Sequence, residues 1–301
     1  MSNRPSHIPI HIPSNKDTKI GPFGRCIYCG ATDGLTDEHP MPEYLGGRLK
    51  LLDASCKRCA TITSGVESKC ANEQFPSALA FLKMRKKKAR RLRGKFPVLL
   101  LINCKLEVRY VSGEDHLPTL RLNSFALPGA SFSSMRDDLV VTNRLVWTLT
   151  RGRPETRGGP DPWQAKARNL MRKTGASRIG FEDRFDDRQF ARMVAKIGYG
   201  FAVAILGLGS FRPLVVRPIL QPELAIGLLV GGVEKPDPLP PGVDIKNLNY
   251  FVGLSCTDHP VSGRPILWAH VRLFAWFGNT PEYVVLLGVP TDAVRRLFPP
   301  F

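Results

Sequence analysis

The sequence predicts an α+β protein. It has a small cysteine-framed strand, strand and helix module near the N-terminus, then a larger domain in which an antiparallel sheet packs on a helix. Three observations predict this. Two C-x2-C pairs, Cys26/Cys29 and Cys56/Cys59, bracket a strand-like stretch and a Gly-Gly turn. Apolar residues recur every three or four positions between Asp187 and Leu206, the spacing of one helix face. Beyond Pro213, apolar or alternating runs are separated by Gly, Pro and Asn, the pattern of successive strands. The expected boundaries are a tail over 1–19, the cysteine-framed module over 20–80, a basic segment over 81–95 and a domain over 96–301.

A chain of 301 residues with 43% hydrophobic composition buries a substantial core. Its 27 Gly and 26 Pro stay below the level of a low-complexity chain. The net charge is +17 and the pI near 9.9, an excess that favours a polyanionic partner, nucleic acid foremost. Residues 1–95 hold 18 Lys/Arg against 8 Asp/Glu, so much of the excess lies in the first third.

The tail, MSNRPSHIPIHIPSNK, is broken by Pro, His and Ser and has no apolar core of signal-peptide length. A cytoplasmic chain is expected. The longest uncharged apolar stretch, Ile197 to Phe211, is 15 residues. That is shorter than the ~18–20 that span a bilayer, so a buried helix and no membrane partner are expected. His7, His11 and His116 carry no signal of their own.

The cysteine-framed module follows. In a reducing compartment seven cysteines point to metal before disulfides, because four of them form two C-x2-C pairs. Two residues between cysteines let one tight turn aim both thiolates at one ion, and two such turns close a tetrahedral four-sulfur shell. Cys26, Cys29, Cys56 and Cys59 are therefore the expected ligands of a structural Zn2+. A closed four-thiolate site has no open position for water, so any chemistry comes from elsewhere. Cys70, Cys104 and Cys256 have no such partner at short range, and, a lone cysteine being usually a small buried apolar residue, they are assigned no role.

Between the pairs, Leu35-Thr36-Asp37-Glu38 reads as an extended stretch, His39-Pro40-Met41-Pro42 as its stiffened exit, and Gly46-Gly47 as a turn. Alternation points Asp37 and Glu38 to opposite faces, and Asp33 and Asp53 read as turn residues. A helix begins near Ala60, although Thr61, Ile62, Thr63 and Gly65 are indifferent helix formers.

These residues resemble the HNH endonucleases of the ββα-metal fold, in their zinc-containing branch. The resemblance rests on Cys26/Cys29, Glu38-His39-Pro40-Met41-Pro42, Gly46-Gly47 and Cys56/Cys59 in that order, and covers residues ~20–75. It implies an N-terminal ββα-metal zinc module and an endonuclease that hydrolyses phosphodiester bonds in DNA. His39 then acts as the general base and Glu38 as the acidic ligand of a catalytic Mg2+ or Mn2+. An imidazole accepts a proton near neutral pH, and a hard carboxylate oxygen suits such an ion. Two pieces of the family pattern are missing: Ala60 stands where an Asn or His normally completes the metal site, and no Asn lies between His39 and Cys56. Thr63, Ser64 and Glu67 share the face of Ala60 at helical spacing, and Glu67 is the expected second ligand. The alternative is a zinc-stabilised protein that binds nucleic acid without cutting it.

The basic segment follows, with Lys83, Arg85, Lys86, Lys87, Lys88, Arg90, Arg91, Arg93 and Lys95 among thirteen residues and no acid between them. Such charge density suits polyphosphate, and nothing in it reads sequence, so phosphate positioning without base specificity is expected.

From Phe96 the run FPVLLLINCKLEVRYV is strand-like. A basic helix is expected from Trp163 to Lys173. The helix from Asp187 to Leu206 carries Phe190, Val194, Ile197, Phe201 and Ile205 on one face, with Asp186 or Asp187 as its cap. Four runs complete the sheet: ELAIGLLVGGV, LNYFVGLSC, ILWAHVRLFAW and EYVVLLGV. His259 and His270 lie there without paired Cys or acids nearby and are read as structural.

Overall fold

The structure, a computed structural model, describes residues 8–10, 17–75, 78–79, 95–112, 115–116, 119–128, 139–148, 162–180, 185–233, 248–258, 263–277 and 280–298. The chain is α+β and folds into two compact units. One comprises Met1–Cys70, Leu122–Arg144 and Asp186–Phe301, the other Ala71–Arg121 and Leu145–Phe185. The division differs from the expected boundaries. The cysteine-framed segment shares a unit with residues 186–301, and much of 96–185 forms the second unit. Non-local packing sets this division, which linear composition does not record. The basic segment lies outside the described residues up to Gly94, with Lys95 opening a strand.

In the first unit, the short strand β1 (Ile8–Ile10) already belongs to a distant sheet. Strands β2 (Thr18–Ile20), β3 (Leu35–Glu38) and β4 (Leu49–Cys56) form a three-stranded sheet in the order β2-β4-β3, with β3 and β4 antiparallel. One 3-10 turn, Glu43–Leu45, joins β3 to β4. Gly46 takes φ +89°, while Gly47 is needed for closeness: a Cβ there would lie 1.9 Å from the Met41 carbonyl oxygen. Helix α1 (Lys57–Lys69) starts directly at the second cysteine pair, a few residues before the expected start at Ala60.

The second unit holds β5 (Lys95–Ile102), β6 (Lys105–Ser112), α2 (Pro162–Thr174) and β9 (Arg178–Gly180), with an antiparallel sheet in the order β6-β5-β9. Its core is Val98, Leu100, Leu170 and Ala176. Helix α2 contains the expected Trp163–Lys173 span. Strands β7 (Thr119–Phe125) and β8 (Val141–Thr148) pair with each other and carry the chain between the units.

Back in the first unit, α3 (Asp187–Leu206) has the expected bounds. The Gln189 backbone N–H donates to the Asp186 side chain, a helix N-cap. Phe190, Val194, Ile197 and Phe201 are buried, whereas Ile205 at the last turn is 40% exposed. By length and composition alone α3 could cross a bilayer, but most of it is buried inside the protein. It packs on a six-stranded sheet in which β1, β12 (Tyr250–Asp258), β13 (Pro265–Leu273), β14 (Glu282–Pro290) and β10 (Phe211–Pro213) follow in order. Strand β11 (Val230–Val233) also pairs with β14, and every pairing in this sheet is antiparallel. ELAIGLLVGGV, expected as one strand, forms one only over β11. Short helices α4 (Val216–Leu220) and α5 (Asp292–Arg295) complete the unit.

Glycine sets how closely α3 approaches its neighbours. A Cβ at Gly198 would lie 2.9 Å from Ala269 Cβ, and one at Gly200 would lie 2.9 Å from Pro40 Cβ. The same helix therefore lies against the sheet and against the exit of β3.

Candidate metal centre and the adjoining carboxylate cluster

The sulfurs of Cys26, Cys29, Cys56 and Cys59 lie within 4.8 Å of one another, and Cys29 Sγ is 3.6 Å from Cys56 Sγ. A tetrahedral shell with Zn–S near ~2.3 Å has sulfur-to-sulfur edges of about 3.8 Å, so the spacing fits. These four residues are positioned to bind a metal ion such as zinc. Ionisation chemistry agrees. The Cys59 backbone N–H donates to Cys56 and, outweighing burial, brings that thiol down to about 7. Burial pushes the Cys59 thiol far up, and the neighbouring Cys26 adds to it. Four crowded sulfurs ionise together only around a cation, which is what a metal supplies.

Helix α3 buttresses this frame. The Tyr199 hydroxyl donates to the Ile27 carbonyl at 2.5 Å, inside the first cysteine pair, and its ring lies 5.7 Å from that of Tyr28. The Lys69 ammonium, at the end of α1, meets Asp186 at 2.6 Å, so one carboxylate serves as α3 cap and ion-pair partner. Tyr44 donates to the Glu67 carbonyl at 3.1 Å.

Of the expected site residues, Glu38 and Glu67 are brought together, with the His39 carbonyl beside them. Glu38 pairs with Leu51 across a register irregularity in β3 and β4, where Asp53 takes φ +50°. Asp53 thus lies within β4 at a bulge, and not in a turn as expected. Such a bulge re-aims side chains: Asp37 is exposed while Glu38 is 5% exposed, the opposition that alternation predicted.

What brings the carboxylates together is Lys196 of α3. Its Nζ lies 2.7 Å from Glu38 Oε1 and 2.5 Å from Glu67 Oε1. The same ammonium donates to the His39 carbonyl and, at 3.5 Å, to that of Pro40. Burial opposes its charge, but Glu38 and then Glu67 outweigh burial and raise Lys196 above its ordinary value. Burial likewise pushes the Glu67 carboxyl up, with Lys196 pulling the other way. The expected role of this pair as divalent-ion ligands therefore meets a competing cation. An open Mg2+ or Mn2+ seat keeps several waters, whereas here a nearly dry ammonium holds both carboxylates, and Ala60 offers no ligand atom. The residues present do not fit such an ion.

The His39 side chain is 23% exposed, with Nε2 3.6 Å from Glu43 Oε1. Burial lowers its pKa, overriding Glu43, with Lys50 and Lys196 adding to the depression. Its Nδ1 and the Tyr28 hydroxyl are buried without a hydrogen-bond partner among the described residues. The imidazole is thus neutral near pH 7 and partly exposed.

Sequence reasoning missed Lys196. A signal existed: Arg192 and Lys196 are cations one turn apart on the apolar stretch of the helix, and a buried cation demands buried partners, which Arg192 finds in the Ile219 carbonyl and Lys196 in two carboxylates. It also missed a chain on the sheet, where Ser255 Oγ lies 2.8 Å from His270 Nε2 and His270 Nδ1 lies 3.0 Å from Glu282 Oε1. Arg272 donates to Glu282 at 2.8 Å. Although the order mimics a nucleophile, base and acid, Ser255 is 1% exposed on a strand interior whose backbone N–H groups are spent in the ladder. Acyl transfer needs an accessible hydroxyl and free oxyanion donors, so the chain is a satisfied polar network, as expected for His270. His259 lies outside the described residues, as do His7 and His11. His116 is buried beside Phe96, and burial lowers it to about 4.

Comparison with protein-family models, with curated proteins and with solved structures finds no match for this chain.

Proposed function

We propose that the chain is an HNH-type endonuclease: a zinc-framed ββα module whose His39 acts as the general base in hydrolysing phosphodiester bonds of DNA. The observation that carries the reading is the place of His39. It directly follows β3, in the segment between the two cysteine pairs, with a partly exposed side chain that burial keeps neutral near pH 7. The order of β3, β4 and α1 on the cysteine frame supports the module. Bound zinc supplies rigidity, holding the hairpin to the start of α1. His39 takes a proton from water through Nε2, the resulting hydroxide attacks phosphorus, and the P–O bond to the leaving sugar oxygen breaks as that oxygen takes up a proton from solvent water. The charge of +17 favours the polyanionic substrate, and the basic run Lys83 to Lys95 would track phosphates along it.

One observation favours a second reading. With Lys196 holding Glu38 and Glu67, that pair is not offered to a divalent ion that would stabilise the leaving oxygen, and the chain would then bind DNA without cutting it. Supercoiled plasmid incubated with zinc-loaded wild type and His39→Ala, with Mg2+, with Mn2+ and with EDTA, separates the two. Nicking by wild type alone supports the nuclease. Retention of intact plasmid in a gel shift, without nicking in any condition, selects the binding protein.

A further inference from the structure

We propose that Lys196 is the resident cation of the Glu38–Glu67 pair, so that this pair takes no divalent ion and instead positions the His39 loop. The positioning half rests on the reading of His39 given above. The cation half stands without it.

The acceptors around Nζ are four: two carboxylate oxygens and the carbonyls of His39 and Pro40. An ammonium has three protons to share among them, so every donor is engaged. The acceptors come from three places: Glu38 from the end of β3, Glu67 from α1, and the two carbonyls from the proline-stiffened exit of β3. A single side chain from α3 thus ties the strand end, the loop and the helix that carry the candidate base.

A divalent ion would have to displace this group. The Lys196 side chain is 3% exposed, that of Glu38 5% and that of Glu67 20%, so an ion taking the place of the ammonium would enter a position largely closed to the waters Mg2+ retains. The displaced ammonium would be left buried, since Gly200 packs against Pro40 one turn along and closes the helix onto the loop. Losing its carboxylates there would leave an uncompensated buried charge, which is strongly destabilising. The lysine also fixes the direction of the His39 carbonyl, and with it the backbone from which the imidazole projects.

Three measurements on the zinc-loaded full chain test this. Electron paramagnetic resonance of added Mn2+, with and without a DNA duplex, reads uptake in wild type and in Glu38→Gln/Glu67→Gln. Equal free Mn2+ in both supports the proposal. Uptake by wild type that is lost in the double variant overturns it. A lysine side-chain 1H–15N spectrum should show one exchange-protected ammonium in wild type that vanishes in Lys196→Met, and its absence from wild type would overturn the assignment. Finally, the His39 ring signal, assigned with His39→Ala, should move in Lys196→Met and return in Lys196→Arg while zinc stays at one per chain. An unmoved signal in a zinc-replete Lys196→Met chain refutes the positioning role. If Lys196→Met does not fold, the wild-type manganese and ammonium measurements still decide the first half. None of these needs cleavage, so an inactive chain leaves the proposal intact, and manganese uptake at the pair would sink it while leaving the nuclease reading in place.

Discussion

The ammonium of Lys196 lies 2.7 Å from Glu38 Oε1, and both side chains are nearly sealed from solvent. The pair joins residues 158 positions apart in sequence, from a core helix to the end of a short strand. A buried ion pair is weak evidence of net stability, but removing one member strands the other, at about 3–5 kcal/mol.

Lys196→Met is therefore expected to destabilise the first unit by about 3–5 kcal/mol in urea unfolding, because two carboxyl groups lose their cation. Replacing Glu38 together with Lys196 by neutral residues should cost less than the sum of the single changes. Additive losses in that double-mutant cycle would show that the two groups are not coupled.

Loss of a cysteine should act through the metal. Cys59→Ser removes a buried ligand, and zinc per chain measured by plasma emission is expected to fall from one to near none. Chelator treatment of wild type should lower its melting temperature, since metal binding and folding are linked. Full zinc retention in Cys59→Ser would contradict the four-sulfur frame.

Under the proposed nuclease reading, the pH dependence of cleavage follows from the direction of the His39 shift. A general base works when deprotonated, and burial lowers this imidazole below its ordinary 6.5. Cleavage should therefore rise with pH through a midpoint below 6.5 and be level by neutrality. His39→Ala is expected to slow cleavage by ~10²–10⁴-fold while DNA retention in a gel shift stays unchanged. A midpoint above 7 would place the base elsewhere.

Acid stability is set on the sheet. Burial acts against the Glu282 carboxylate, but His270 and Arg272 overcome it and bring its pKa from 4.5 to about 2. A depressed carboxyl stabilises the fold above its unfolded pKa, and that contribution is lost as pH falls through the folded value. About 3 kcal/mol should thus disappear between about pH 4.5 and pH 2. In Glu282→Gln the acid limb of stability against pH, followed by circular dichroism, should be flatter by that amount.

Local pattern made several parts legible. The α3 bounds followed from a 3.6-residue apolar repeat and an aspartate cap, both properties of adjacent residues. Cys26, Cys29, Cys56 and Cys59 were legible because two tight turns can aim sulfur at one point whatever surrounds them. Opposite faces for Asp37 and Glu38 followed from the strand period. Less was legible where distant chain meets: β1 pairs with β12 across more than 240 residues, and the two units interleave segments that composition alone separates differently.

By itself the sequence determined the α+β class, the core helix and the sulfur cluster, because each is written in spacing along the chain. Tertiary structure alone decided which cation the carboxylates of Glu38 and Glu67 hold. A charge buried on α3 must find partners wherever packing delivers them, a carbonyl for Arg192 and two carboxylates for Lys196, and packing is settled by the whole chain.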